Sequence, residues 1–574
     1  MMLYENTRTV YDLVHNAAAE HGDRVFLQYE ENEIIFRVTY KEFADECDAI
    51  AAWAREKRAQ VGHILGVSSH HYLAVLLGVM SGGDTGIPLD VQLNAQKLAD
   101  CLNRSDVDVL FYDWDFHLLT EEVKEECPEV VEYISLQHGK HVNCSDKILK
   151  AYEGQHVESD AKADECAMIL FTSGTTGRGK GVMLSNGNLM DNNFCTTDNN
   201  HPEREIYLNV LPIHHVFCLN GDVFTVMRYG GILCLNRDMK KLAEHILLFE
   251  PTVIRMVPMM AKALYNRIAI LNRQHPEMPI RKVKEQVLGT RLHKIISGGG
   301  YLAPDLAANY QRLGIAIAQG YGMSECSPKI SSPDWTRPDK IASVGRIVDR
   351  CEVRIVDGEI QVKSPSVMMG YYKEPDKTAE VITPDGWLCT GDIGHVDEEG
   401  FLYLTGRKKN LIILSNGENV APEELENLFE DERLIEDILV YGEDDMICAE
   451  VYPNFKYAEA ANIADIESTV TQIIKKHNEE LPTFKRILRS SIREVPFAKT
   501  SSKKIIRSQY LEGKQKEEQE EKRFRMPENE LQKQIYDCIA AVLGHRRFGI
   551  DTELYEAGLD SLGSVLLLTD LYQI

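Results

Sequence analysis

The apolar run Ala167-Met168-Ile169-Leu170-Phe171 passes directly into T-S-G-T-T-G-R-G-K-G at residues 172–181, and no other junction narrows the fold as much. A short apolar run bounded by turn formers predicts a buried strand. The small residues after it let backbone N–H groups approach an anion closely. Ser173, Thr175 and Thr176 add hydroxyls, and Lys180 adds a positive charge. Gly174 and Gly179-Lys180 stand at the spacing of a Walker nucleotide loop, but Gly181 replaces the Ser or Thr whose hydroxyl that loop lends to magnesium. The stretch is therefore a different phosphate loop or a surface turn with a solvated lysine. The rest of the chain has to decide.

With 574 residues, the chain is too long for one core, and about two to four domains are expected. Its 44% hydrophobic and 26% charged residues are those of a globular protein. A net charge of −26 disfavours nucleic acid and anionic membranes as partners. The start of the chain has no basic-then-apolar signal pattern. The apolar run Tyr72–Met80 is too short for a transmembrane segment. Thirteen cysteines without a C-x-x-C pair favour reduced thiols in a cytoplasmic protein over disulfides or a zinc site.

Helical and strand-like spacing alternate along most of the chain. Tyr40–Trp53 reads as a helix, and His63–Ser68 and Val107–Tyr112 as buried strands. Ile206–Leu211 and Val253–Val257 are further apolar runs, with a helical pattern between them at Lys240–Phe249. This order predicts an α/β region with much sheet. The texture changes near Gly400, where a smaller unit begins that ends near Tyr510. Residues 511–526 are charged and almost without apolar side chains, as in a solvated linker. Beyond them Leu531, Ile535, Ile539 and Val542 fall on one helical face.

The loop at Phe171–Val182 is followed, in order, by Tyr321-Gly322-Met323-Ser324-Glu325, Thr390-Gly391-Asp392, Gly406-Arg407-Lys408-Lys409 and Thr500-Ser501-Ser502-Lys503-Lys504-Ile505-Ile506-Arg507. This ordered set resembles the adenylate-forming superfamily of acyl-CoA synthetases, luciferases and peptide-synthetase adenylation domains. The resemblance covers residues 1 to about 510 and favours the phosphate loop over the turn. It implies an α/β fold: a large multi-sheet adenylation domain over 1–406 and a small mobile α+β cap over 407–510. A linker over 511–526 and a truncated helical carrier module over 527–574 would complete the chain. Two positions depart from the family pattern. Lys503 stands where a glycine is usual, which leaves Lys504 as the match by spacing, and Gly179 stands where a proline is usual.

The resemblance also implies roles. Thr172, Ser173, Gly174, Thr175, Thr176, Gly177 and Lys180 would cradle the β- and γ-phosphates of ATP. Glu325 would ligate Mg2+ together with Thr175, as a hard cation preferring oxygen would require. Ser324 lies in the same nucleotide-binding turn. Tyr321 would stack on adenine, Asp392 would accept the ribose hydroxyls, and Arg407 would lie near the ribose and α-phosphate. Lys504 would bridge the carboxylate and the α-phosphate. Lys409 would be the hinge on which the cap turns between half-reactions. His215, three residues after Pro212, is the candidate gate for the carboxylate.

Residues 213–221 hold no acid that could pair an α-ammonium, which disfavours an amino acid as substrate. Phe217, Cys218 and Gly298–Gly300 suggest an apolar tunnel and a fatty acid, with aryl acids as the competitor. Tyr555–Leu562 (Y-E-A-G-L-D-S-L) resembles the attachment site of a carrier domain, with phosphopantetheine on Ser561. The expected reaction is ATP-dependent acyl-AMP formation followed by transfer to a pantetheine thiol, on a carrier domain in cis or in trans or on free CoA. A non-catalytic interaction module is the rival from another class, and retention of Glu325 and Lys504 speaks against it.

Overall fold

The computed structural model describes the chain except at 1–5, 58–60, 67–68, 107, 137–142, 173–178, 196–204, 415–417, 444–445, 500–504, 508, 512–526, 528 and 544–574; at 61–65 and 541–543 it describes the backbone alone. Two compact units make up the chain, Met1–Arg493 and Glu494–Ile574.

The first unit is built on sheets. A seven-stranded sheet runs in the order Ala316–Gln319, Lys294–Ser297, Val253–Met256, Ile206–Asn209, Ile232–Leu235, Val25–Glu31, Ile34–Thr39. All its neighbours are parallel except the last pair. Parallel strands need helical crossovers and so are covered on both faces. That is why Val253–Met256 and Ile206–Asn209 are buried at every position, which matches their unbroken apolar patterning. A second parallel sheet joins Ile87–Leu89, Val61–Leu65, Val109–Tyr112 and Glu132–Ser135.

The helix Tyr40–Lys57 extends the predicted 40–53 segment by one turn and packs into the largest core cluster through Phe43, Cys47, Ile50 and Trp53. Beside it, Val10–His21 starts from a reciprocal cap. Thr9 Oγ1 accepts from the Asp12 N–H at 3.1 Å, and Asp12 Oδ2 accepts from the Thr9 N–H at 2.8 Å. Such a cap contributes about 1 kcal/mol and sets where the helix begins.

The predicted strand at Ala167–Phe171 is Cys166–Thr172, paired antiparallel with Lys180–Ser185. Gly370–Tyr371 adds a third strand to this small sheet. An antiparallel sheet of Glu352–Val356, Glu359–Lys363, Leu388–Val396 and Leu402–Arg407 leads into the turn Lys408–Asn410. The next sheet (Ile435–Glu443, Met446–Pro453, Ile487–Ile492) has its own core with Val470 and Ile474 of the helix Ile466–Glu479.

In the second unit, an antiparallel bridge joins Lys499 and Ile505, and the Ile506 N–H donates to the Ala498 carbonyl at 2.8 Å. The helix Glu530–Leu543 forms where helical spacing predicts it, but its buried stripe is rotated. Tyr536 and Ala540 are buried with Ile539 against them, while Leu531 is exposed. The bulk of Tyr536 draws that face inward in place of the smaller aliphatic at the helix start. Among the described residues, no helix is long and apolar enough to cross a membrane.

Candidate functional site

Two antiparallel strands meet closely at the base of the expected phosphate loop. Thr172 pairs with Lys180 across it. A Cβ at Gly179 would lie 2.7 Å from the Thr172 carbonyl oxygen, so only glycine lets the two strands approach here. Arg104 donates to the Gly179 carbonyl at 2.7 Å and holds the outgoing strand.

Lys180 and Glu325 are joined through a residue that no motif signalled. Tyr371 lies opposite Val182 on the neighbouring strand and donates its hydroxyl to Glu325 Oε1 at 2.9 Å. Lys180 Nζ sits 4.5 Å from the centroid of the Tyr371 ring. Burial first, and the Glu325 carboxylate second, push the Tyr371 phenol far above its ordinary range, so it stays a donor. Ser324 and Glu325 occupy one 3-10 turn, Ser324–Cys326, and the Met368 N–H donates to the Glu325 carbonyl at 2.9 Å. This pins the backbone from which the carboxylate projects.

Four residues before Glu325, Tyr321 donates its hydroxyl to Asp392 Oδ2 at 2.7 Å. The other oxygen, Oδ1, accepts from Arg407 Nε at 2.9 Å. Asp392 and Arg407 face each other on paired strands, so the sheet register itself makes this contact. Thr390 Oγ1 accepts from the Asp392 N–H at 3.1 Å. The next residue, Lys408, is paired with Glu359 at 2.8 Å, and the same Glu359 accepts from the Gly391 N–H at 3.0 Å.

Lys409 is half-buried. Burial holds its ammonium below the usual lysine range, Arg407 pushes it further down, and the more distant Lys180 adds to the push. Lys180, Arg407 and Lys409 thus share one field, with Glu325 and Asp392 as carboxylates on its border. Converging cations that repel one another suit a polyanion, and oxygen donors beside them suit a hard divalent ion. Ser173, Gly174, Thr175, Thr176, Gly177, Lys504 and Ser561 lie outside the described residues.

The stretch expected at the acyl end leads into a helix, Val216–Tyr229. This helix opens into wider turns at Leu219–Phe224, a distortion frequent near functional sites. Phe217 lies against Gly298, where a Cβ would come within 2.8 Å of its ring. Cys218 is fully buried in the core. The His214 and His215 rings lie tilted against each other with centroids 4.3 Å apart. Burial lowers both imidazoles, His214 to about 3, with its neighbour adding to the effect.

Asp222, the first acid after the aromatic motif, is held by Arg255 Nη1 at 2.7 Å and by Asn209 Nδ2 at 3.3 Å, and it is wholly buried. It is therefore committed to a core ion pair. Tyr371, Glu359 and Arg255 were invisible to motif reading because their partners lie 30 or more residues away. Two surface cavities, of about 220 Å³ beside Trp335 and Phe401 and about 320 Å³ beside Arg8 and Asp191, contain none of these site residues.

Comparison with known proteins bears on the whole of this arrangement. The AMP-binding enzyme family matches residues 14–372, and its C-terminal domain matches residues 409–517. The chain is 31% identical over 338 residues to the peroxisomal long chain acyl-CoA synthetase 7 of Arabidopsis thaliana, covering 50% of this chain and 47% of that protein. It therefore spans about half the length of that relative. It is 26% identical over 486 residues to a long-chain-fatty-acid–CoA ligase of Escherichia coli, covering 76% of this chain and 83% of the relative. The anthranilate CoA ligase AuaEII shares the fold with a TM-score of 0.75 at 17% identity, over 88% of this chain and 97% of that one. The chain belongs to the AMP-binding enzymes, the adenylate-forming superfamily.

Proposed function

We propose that this chain is an AMP-forming acid:thiol ligase acting on a long-chain fatty acid. The observation that carries the reading is the shared field of Lys180, Arg407 and Lys409 beside Glu325 and Asp392. A substrate carboxylate oxygen attacks the α-phosphorus of ATP, the bond to the bridging oxygen breaks, and pyrophosphate leaves. A pantetheine thiol then loses its proton and attacks the acyl carbon, and AMP leaves.

Each step brings anions together, and the cations lower that cost. Lys180 faces the phosphates, Arg407 the ribose and α-phosphate, and Lys504 the carboxylate. Asp392 accepts from the ribose hydroxyls in place of the Tyr321 hydroxyl, and Tyr321 lies against adenine. Glu325, with the Thr175 hydroxyl, supplies the oxygen donors that would hold Mg2+, which when bound neutralises charge on the departing pyrophosphate. A neutral His215 beside the incoming carboxylate neither traps nor repels it.

The pairing of Asp222 with Arg255 supports an apolar acid, because it takes up the first carboxylate after the aromatic motif that could meet an ammonium. Relatives named as long-chain fatty acid ligases support the chain length, and their thiol is CoA. A carrier thiol on Ser561 is the second reading, favoured by the Y-E-A-G-L-D-S-L motif.

The test is ATP–pyrophosphate exchange with fatty acids of graded length, aryl acids and amino acids, then thioester formation with CoA. Exchange driven by long-chain acids and AMP release with CoA is the expected result. Exchange driven by amino acids alone would overturn the substrate assignment. Acyl groups found on Ser561 after modification by a phosphopantetheinyl transferase, with none on CoA, would replace the acceptor.

A further inference from the structure

Far from the motifs in sequence, three side chains meet on the first unit. Asp48 lies in the middle of the helix Tyr40–Lys57 and is 1% exposed. A buried carboxylate is costly unless a positive partner faces it. Here both oxygens face imidazoles. His15 Nε2, from the helix Val10–His21, is 3.0 Å from Oδ1, and His156 Nδ1 is 2.5 Å from Oδ2. One ligand atom from each of the three residues lies within 4.8 Å of the others.

The rest of the arrangement orients the donors. His15 Nδ1 lies 3.0 Å from the Tyr11 carbonyl, and its ring stacks on Tyr11 with centroids 3.9 Å apart. An imidazole that donates Nδ1–H to a carbonyl presents its Nε2 lone pair on the other side, the usual outer support of a metal-bound histidine. At 3.0 Å from Asp48 Oδ1, Nε2 either donates a proton to the carboxylate or shares a cation with it. Asp12 and Glu158 add negative field around Tyr11.

We propose that His15, Asp48 and His156 bind a divalent transition-metal ion of the zinc class. Two imidazoles and one carboxylate form a zinc donor set that leaves a coordination position for water. Tetrahedral zinc with bonds near 2.0–2.1 Å keeps its ligand atoms about 3.3 Å apart. The 3.0 and 2.5 Å separations come within 1 Å of that spacing, and the exposed side chain of His156 can swing to meet it. Magnesium fits poorly, since it prefers oxygen donors.

The ion would act as a clasp. Residues 152–160 already lie along the helix Tyr40–Lys57. The Tyr152 hydroxyl donates to Glu56 at 2.7 Å, Arg55 donates to the Glu158 carbonyl at 2.9 Å, and Val157 packs on Ala51 and Ala52. This segment leads into the strand Cys166–Thr172 and the phosphate loop. Thiol counting pointed away from zinc because it looks for cysteines, whereas this set draws on imidazoles separated by 141 residues (156 minus 15).

The test uses the full chain, stripped with chelator and dialysed, then titrated with Zn2+ or Co2+ under excess Mg2+. One equivalent should bind. Co2+ should give visible ligand-field absorption with no thiolate charge-transfer band. His156→Ala should weaken binding by at least about 100-fold, beyond what loss of an outer-shell partner costs. The metal-free variant loses one of the two imidazoles facing Asp48, so binding is compared below the melting temperature of both proteins. Zn2+ should also slow proteolytic cutting at 152–160 in the parent alone. Equal binding by parent and His156→Ala, a thiolate band, or no bound equivalent would each overturn the proposal. The last result would mean that protonated imidazoles alone balance Asp48.

Discussion

Tyr371 is the residue whose removal is most informative. Tyr371→Phe keeps the ring beneath Lys180 but deletes the donor to Glu325. Hydrogen bonds to charged groups contribute about 1.5–3 kcal/mol, so exchange should fall about 10- to 100-fold and need more magnesium. A magnesium titration of the exchange rate checks this; an unchanged profile would mean that Glu325 is positioned by its backbone alone. Arg255 answers to stability instead. Arg255→Met leaves Asp222 buried without its cation and should lower unfolding free energy by about 3–5 kcal/mol, read from denaturant midpoints. Adding Asp222→Asn should recover much of that loss. His214 sets a pH dependence. Its folded pKa, near 3, lies below the unfolded value near 6.5, so the unfolded chain binds the proton first. The corresponding stability is complete above pH 6.5 and is lost as pH falls towards 3, by up to about 1.4 kcal/mol per pH unit. His215 is shifted in the same direction and adds to the slope. His214→Gln should flatten the stability profile between pH 6.5 and 5.

At the scale of elements, the turn Lys408–Asn410 is the part that function would ask to move. Lys409→Pro restricts the backbone at the proposed pivot. Pyrophosphate exchange should persist, while acyl transfer to CoA slows at least tenfold, on the order of what a gating step commands. Loss of both half-reactions would make Lys409 a substrate contact. Elements were the part of this chain most legible in the sequence. The strands at 206–209 and 253–256 announce themselves because a parallel sheet buried on both faces requires unbroken apolar runs, and the antiparallel strand at 166–172 does so because Ala167–Leu170 are buried at every position. The helix at 530–543 was legible as a helix but not in its buried face, since periodicity cannot weigh Tyr536 against Leu531. The motifs single out Asp392 and Arg407 as candidates. Their direct contact was not readable there, because strand register is a property of the folded sheet. The contacts of Tyr371, and the meeting of His15, Asp48 and His156, had no local signal at all.

For the whole molecule, the division at Arg493–Glu494 and the family match ending at 517 place the final helix outside the matched region. Removing residues 527–574 should therefore leave exchange and CoA thioester formation intact. A large loss of exchange would tie the tail to catalysis. The pivot has a further consequence. Arg407 and Lys408 are tethered to Asp392 and Glu359 on one side, and the Asn410 amide is tethered to Glu423 at 2.5 Å on the other. Lys409 alone lies between these anchorages, like an axle between two bearings. A swing about it leaves the anchoring pairs intact, but it would part Lys262 from Glu430, which pair at 3.6 Å across the pivot. Since that one half-exposed pair is all the turn need part beside the anchorages, added salt should speed the swing slightly, whereas ATP capture by the cations around it should weaken steeply.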